Sequence, residues 1–397
     1  MRVLQINAVP YGSTGRIMFQ LADALEAEGD EALCTAGFTW QKCSRPDFFI
    51  TSNIVEKTAH TWLARFTGRI GCFSAGATRR LLKKIDTFRP DIIHLHNLHC
   101  WFVNLPMLFG YFKTHQIPVI WTLHDCWPFT GHCPHFIGIG CGKWKTGCHD
   151  CTLYRQYPQS FFDASETMYR LKKEWFTGVE NLTVVTPSRW LGDLVRQSFL
   201  GCYPVEVIPN GIDLTVFRPR AGDVKVRYGI EDKYLILGVS YIWNDKKGLD
   251  VFLELSKRLG DDYRILLVGT DEQTDDILPP GIISVHRTES RQALAELYGA
   301  ADVFVNPTRE DNLPTVNMEA LACGTPVITF ATGGSPEVAD QSCGSVIPRD
   351  DVQALEAEIR RVCTQRPFTG QMCTERAKQF DGKTAVDRYL ALYRSKL

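Results

Sequence analysis

Short apolar runs alternate with helix-patterned stretches along the whole chain, and this rhythm constrains the fold more than any other feature. RVLQINAV precedes a helical pattern over Ile17 to Glu28, DIIHLHN one around Asn104 to Thr114, and LTVVTPS one that opens at Arg189, with PVIWTLHD between them. The second half repeats the rhythm in YLILGVS, YRILLVG, DVFVNPT and TPVITFA. Such alternation is the signature of βαβ units and a parallel sheet. At 397 residues the chain exceeds the size at which one core keeps growing, so two doubly wound α/β halves are expected. The seam is expected within Val207 to Pro219, where Pro-Asn-Gly makes a turn and Arg218-Pro219 an extended exit. The expected division is therefore 1–205, 206–375 and a closing amphipathic helix over 376–397, which carries Phe380, Val386, Tyr389, Leu390, Leu392 and Tyr393 at helical spacing.

With 44% hydrophobic and 22% charged residues, the composition is that of a soluble globular protein, and a net charge of -1 argues against a nucleic-acid-binding surface. MRVLQINAV lacks the apolar core of a signal peptide, and no run reaches the roughly 18 apolar residues of a membrane span. Fourteen cysteines without an export signal point to a reducing cytoplasm. From Lys57 to Arg89, basic residues interleave with Trp62, Leu63, Phe66 and Ile70. That pattern suits either an anionic membrane surface, and so a peripheral contact with the cytoplasmic membrane face, or a solvated helix whose apolar stripe faces the core.

The richest stretch for chemistry is NPTREDNLPTVNMEALACGTPV, Asn306 to Val327. A helix starting near Leu313 to Pro314 puts Asp311 in the loop at its N-terminus and Glu319 inside it, so that both carboxylates face one polar ligand. Asp311 and Asn312 are good cap residues, Pro314 suits a first turn, and Gly324 followed by Pro326 marks the stop. The alternative is a capping Asp311 and a surface Glu319. Asn244 to Gly248 follows the strand YLILGVS and brings Lys246 and Lys247 to the mouth of a sheet, where a lysine pairs well with a diphosphate. Thr332 to Glu337 is a second strand-to-helix turn with exposed N–H groups.

In the first half, Gly12 to Arg16 forms a glycine-containing turn whose backbone N–H groups suit an anion. Beyond the carboxyl ends of two further strands stand His94, His96, Asn97 and His99, and then His124 with Asp125. Strand alternation puts His94 and His96 on one face, which makes a buried structural histidine one reading and a metal ligand another. Among these residues His124-Asp125 is the better catalytic candidate. The insertion that follows contains Cys133, Cys141, Cys148 and Cys151 as C-x7-C-x6-C-x2-C, whose last pair has zinc-knuckle spacing. Cys126, His132, His135 and His149 are rival ligands. A structural zinc, free thiols in a packed loop, and a disulfide or cluster are the alternatives for this stretch.

Taken together, the glycine turn, DIIHLHN, TLHD, VTPSRWL, VIPNGID, the Lys-Gly turn, the acid-x7-acid helix, GTPVI and GGSPEV resemble the retaining GT-B glycosyltransferases of family 4. The WPFTGHC to CGKWKTGC insertion resembles those of colanic-acid-type and other exopolysaccharide enzymes. The resemblance implies two Rossmann-like domains facing a central cleft, with a C-terminal helix returning to the N-terminal domain. It also implies a nucleotide-sugar donor held by the C-terminal domain and a glycan or lipid-linked glycan acceptor held by the N-terminal one. By position, Asp311 meets sugar hydroxyls, Glu319 the ribose, Lys247 the diphosphate, and His124 the donor sugar. Gly12, Gly15, Arg16, Lys246, Glu310, Asn312 and Leu313 complete the implied contacts, and the chemistry needs no metal. Two positions depart from the pattern: the first acid is Asp311 rather than Glu, with Glu310 beside it, and Ser240 to Trp243 stands where many members carry an arginine. A sugar-nucleotide epimerase of the same fold and a non-catalytic sugar-nucleotide-binding protein are the rival functions.

Overall fold

The computed structural model describes residues 1–39, 43 and 45–397. It separates two compact units, Met1–Ile208 with Val386–Leu397, and Pro209–Ala385. The division thus falls at Ile208/Pro209 instead of 205/206, and the C-terminal segment is not one helix over 376–397. A helix over Gly370–Ala377 runs into a 3-10 turn over Lys378–Phe380, and a new helix occupies Gly382–Arg394. The break occurs where the backbone turns away to pair with Ile212: Ile212 N–H donates to Phe380 O at 2.9 Å and Gly382 N–H to Ile212 O at 2.8 Å.

The first unit contains β1 (Arg2–Asn7), β2 (Glu31–Ala36), β3 (Phe48–Ile50), β4 (Ile92–Leu95), β5 (Val119–Thr122), β6 (Leu182–Thr186) and β7 (Val205–Val207). All pair in parallel in the order β3-β2-β1-β4-β5-β6-β7. In the second unit, β8 (Tyr234–Val239), β9 (Tyr263–Val268), β10 (Ile282–Val285), β11 (Val303–Asn306), β12 (Val327–Phe330) and β13 (Gly344–Ile347) pair in parallel in the order β10-β9-β8-β11-β12-β13. Chain order reverses between β1 and β4 and again between β8 and β11. At such switch points, loops leaving adjacent strands diverge and open a crevice for ligands.

Strand alternation divides each core into two layers. Leu4 and Ile6 of β1 join one buried cluster, while Val3 joins another with Met18, Leu21 and Leu25 of the helix Gly12–Ala27. Tyr389, Leu390 and Tyr393 of the last helix complete that second cluster. Each fully buried side chain of this size contributes roughly 1.5–3 kcal/mol. In the second unit Leu235 and Leu237 face one layer and Ile236 the other.

Local signals explain several helix ends. Asn104 caps Leu105–Thr114 through Met107 N–H at 3.1 Å, and Ser188 caps Arg189–Gln197 through Leu191 N–H at 3.1 Å. The first helix begins earlier than Ile17, at Gly12, whose φ of 73° lets the strand-to-helix turn close within the glycine loop. Lys57 to Arg89 forms two helices, Ile54–Thr67 and Ala75–Phe88. Among the described residues no helix is long and apolar enough to cross a membrane.

Candidate active site

At the switch point of the second unit, two loops are zipped together. The loop after β8 folds into a 3-10 turn, Asp245–Lys247, started by the Asn244 side chain on Lys247 N–H and closed by Gly248. Gly248 has φ 77°, and a Cβ there would lie 2.5 Å from Pro307 O, so only glycine lets this turn rest on the exit of β11. Arg309 N–H donates to Lys246 O at 2.8 Å. Side chains then pair in step: Lys246 Nζ meets Glu310 Oε2 and Lys247 Nζ meets Asp311 Oδ2, each at 2.8 Å. Lys247 also donates to Glu310 O at 3.3 Å. The Lys247–Asp311 pair is partly open to water and so worth about 1 kcal/mol or less, a contact easily exchanged for a ligand anion.

Arg309 holds this arrangement and was not singled out from the sequence. Its guanidinium spans Asp250 at 2.7 and 2.8 Å and Asp350 at 2.6 Å, and also donates to Asp245 O. The only sequence signal was its place in the run Arg-Glu-Asp after a strand. In Ser240 to Trp243, where many members of the family this chain resembles carry an arginine, Trp243 turns inward and donates its indole N–H to Val268 O at 3.0 Å, while Tyr241 is fully exposed.

The adjacent helix, Thr315–Ala322, starts one position later than expected. Pro314 is its N-cap, and neither Asp311 nor Asn312 caps it, because Asp311 is committed to Lys247 and the chain reaches the helix in extended form at Pro314. Gly324, with φ 87°, ends it as expected. Glu319 lies about one turn inside, buried, and accepts a hydrogen bond from Tyr298 Oη at 3.1 Å. Burial, followed by the Glu319 charge, raises the Tyr298 phenol well above its ordinary range, so it stays a donor. Behind it, Asn306 Nδ2 donates to Asn317 Oδ1 at 2.7 Å.

The turn after β12 locks onto the same loop. Gly334 N–H donates to Asn312 O at 2.8 Å, and a Cβ on Gly333 would lie 1.8 Å from Asp311 O. Beside this contact the Thr332 and Ser335 hydroxyls are buried without a hydrogen-bond partner among the described residues. Buried hydroxyls in that state are ready to bind a polar ligand. Lys247, Asp311, Asn312 and the Gly333-Gly334 turn are thus brought together, and Leu313 in the same loop and Glu319 on the adjacent helix are buried.

In the first unit the expected residues also gather beyond the strand ends. The Gly12–Gly15 turn is tight: a Cβ on Gly15 would lie 2.4 Å from Pro10 C, and Arg16 is exposed on the first turn of the helix. His94 is the structural histidine, with Nδ1 2.6 Å from Tyr393 Oη and Nε2 2.8 Å from Thr122 Oγ1. His96 stacks on the same face, with ring centroids 4.1 Å apart. Its Nδ1 lies 3.3 Å from His124 Nε2. Burial brings the His124 imidazole down to about 4, so it is neutral at physiological pH.

Next to it lies a buried ion pair, His99 Nε2 to Asp125 Oδ2 at 3.0 Å. Burial alone would lower the His99 imidazole and raise the Asp125 carboxyl. Their mutual charges win, raising His99 to about 10 and holding Asp125 at about 2. Asp125 is thus paired with His99. Tyr157 Oη sits 3.0 Å from the other ring nitrogen of His99.

Cys133, Cys141, Cys148 and Cys151 are free thiols lining one cavity of about 390 Å³. Among the described residues no three His, Cys, Asp or Glu side chains already stand in coordinating geometry, so the expected zinc cage is not preformed.

Two parallel doubly wound sheets, each with its loops gathered at a switch point, define the GT-B class. The same architecture is found in a sucrose-phosphate synthase of Thermosynechococcus elongatus, with TM-score 0.71 and 18% identity over 100% of this chain and 98% of that one. It is also found in HepE of Anabaena in complex with UDP-glucose, with TM-score 0.65 and 14% identity over 100% of both chains. Residues 14–216 match the Glycosyltransferase Family 4 model and residues 233–365 that of Glycosyl transferases group 1. The chain belongs to Glycosyltransferase Family 4 and is a glycosyltransferase. It is 26% identical to WcaC of Escherichia coli, named for colanic acid biosynthesis, over 78% of this chain and 77% of that one.

Proposed function

We propose that the chain transfers a sugar from a UDP- or GDP-sugar to a growing, polyprenyl-diphosphate-linked glycan of a surface polysaccharide, with retention at the anomeric carbon. The observation that carries this reading is the Lys247–Asp311 pair at the second unit's switch point, with Glu319 buried on the helix that follows. Lys247 exchanges Asp311 for the donor diphosphate, and the freed Asp311 accepts hydrogen bonds from the sugar hydroxyls. Glu319 accepts from the ribose. The UDP-glucose complex of HepE supports such a donor, and the likeness to WcaC supports an exopolysaccharide acceptor.

In the reaction the bond from the anomeric carbon to the diphosphate oxygen breaks as the acceptor oxygen attacks from the same face. The acceptor proton passes to the departing diphosphate, whose growing charge Lys247 and the loop N–H groups stabilise. In this reading His124, neutral at physiological pH, donates or accepts a hydrogen bond without adding charge.

A peripheral membrane contact belongs to the same reading. On the helix Ile54–Thr67, Val55 is 72% exposed and Phe66 58%, with Phe162, 60% exposed, close by. Trp62, Leu63 and Phe66 point to solvent instead of forming a core stripe, whereas Ile70 is buried. Arg65 and Arg69 flank this apolar patch. Burying a phenylalanine in the lipid interface is worth roughly 1.5–3 kcal/mol, so Phe66→Glu is expected to weaken cosedimentation with anionic vesicles at least tenfold. Equal sedimentation of wild type and variant would remove the membrane contact. The transfer reading itself is tested by nucleotide release from a panel of sugar nucleotides, with and without lipid-linked acceptor.

A further inference from the structure

The connection between β5 and the helix Ser165–Phe176 has a stability problem that sugar transfer does not address. From Leu123 to Ala164 it contains only three 3-10 turns, Trp127–Phe129, Ile137–Ile139 and Lys143–Lys145. Connections of this length without regular structure are rare and need staples of their own. One staple is aromatic: Trp144 packs against Phe129 and Phe136 with ring centroids 5.3 and 5.2 Å apart.

A second is latent in the thiol-lined cavity. His132 also lines it, and its buried Nε2 has no hydrogen-bond partner among the described residues. An imidazole nitrogen in that state is able to take a metal when its lone pair faces the cavity. Left unmet, a buried ring nitrogen of this kind is destabilising.

Two neighbours favour negative charge on the sulfurs. Gly131 N–H donates to Cys148 Sγ at 3.2 Å. Lys172 is wholly buried, its ammonium bonded to Trp127 O at 2.8 Å and Thr130 O at 3.1 Å and lying 3.4 Å from the Trp127 ring centroid. Two carbonyls and a ring are the closest partners of that ammonium, and a buried cation calls for an anionic neighbour.

We propose that Cys133, Cys148 and Cys151 bind a single Zn²⁺, with His132 or Cys141 in the fourth position. Soft sulfur and imidazole donors select zinc, the Cys148–Cys151 spacing suits it, and a zinc held by three or four thiolates is net negative beside Lys172. Binding turns the thiols inward by rotation about Cα–Cβ, so the metal and the order of the loop are coupled.

Elemental analysis of the full chain purified under reducing conditions is expected to find about one zinc per chain, as a four-ligand structural site requires. Cobalt reconstitution is expected to give thiolate charge-transfer absorption. Cys148→Ser and Cys151→Ser are expected to lose the metal, and Cys202→Ser, at an exposed thiol elsewhere, to keep it. Loss in either His132→Asn or Cys141→Ser names the fourth ligand. Should the ligand variants fail to fold, wild type still decides: titrating its thiols with a mercurial is expected to release zinc and lower Tm. Wild type without stoichiometric metal after incubation with zinc, and with Tm unchanged by chelator, would overturn the site.

Discussion

Lys247→Ala and Glu319→Ala are each expected to lower kcat/KM for sugar transfer at least tenfold, a loss of about 1.4 kcal/mol of transition-state stabilisation. The two variants should fail differently. Charge grows on the diphosphate as its bond to the sugar breaks, so the lost lysine appears mainly in kcat. A ribose contact is the same before and during the reaction, so the lost carboxylate appears mainly in KM. Glu319→Gln is the control, because it keeps an acceptor for the Tyr298 hydroxyl, 3.1 Å from the carboxylate in wild type. Steady-state kinetics that separate kcat from KM check the assignment, and wild-type constants in both alanine variants would sink it.

The second large effect lies in the first unit, at the buried His99–Asp125 pair. Asp125→Asn leaves the His99 ring buried without its counter-charge and is expected to destabilise the unit by about 3 kcal/mol. The loss should depend on pH in a defined way. Asp125 is held below its ordinary 3.8, so its contribution is full above that pH and fades as pH falls through about 2. His99 is raised above its ordinary 6.5, so its contribution is full below that pH and fades as pH rises through about 10. The gap in urea midpoint between wild type and Asp125→Asn is therefore expected to be widest between 3.8 and 6.5 and to close near 10. A gap independent of pH would show that packing, not the ion pair, sets the cost.

How much of this was legible depended on where the decisive contacts lie along the chain. Strands β1, β4, β5, β6, β8, β9, β11 and β12 were readable because their continuous apolar runs stand out between polar turns. β2 escaped because EALCTA is built from small residues, β3 and β7 because three residues carry no pattern, and β10 and β13 because edge positions tolerate exposed, polar side chains. The glycine turns were readable for a local reason, since the backbone conformation demands glycine. Pairings were not. Lys247 and Asp311 are 64 residues apart, and only the neighbourhood of β8 and β11 makes them partners. His94 and Tyr393 are 299 apart, joined because the last helix packs on the first sheet. In the sequence Arg309 is one more charge in a polar loop, and only the fold sets Asp250 and Asp350 against it.

Nucleotide release from UDP- and GDP-sugars, measured with and without a polyprenyl-diphosphate-linked acceptor, tests the central claim most directly. Release that requires the acceptor, from one donor of the panel, and that falls at least tenfold in Lys247→Ala is the predicted result. Sugar isomerisation without acceptor would point to an epimerase, and binding of the sugar nucleotide with no turnover under any acceptor would contradict transfer altogether.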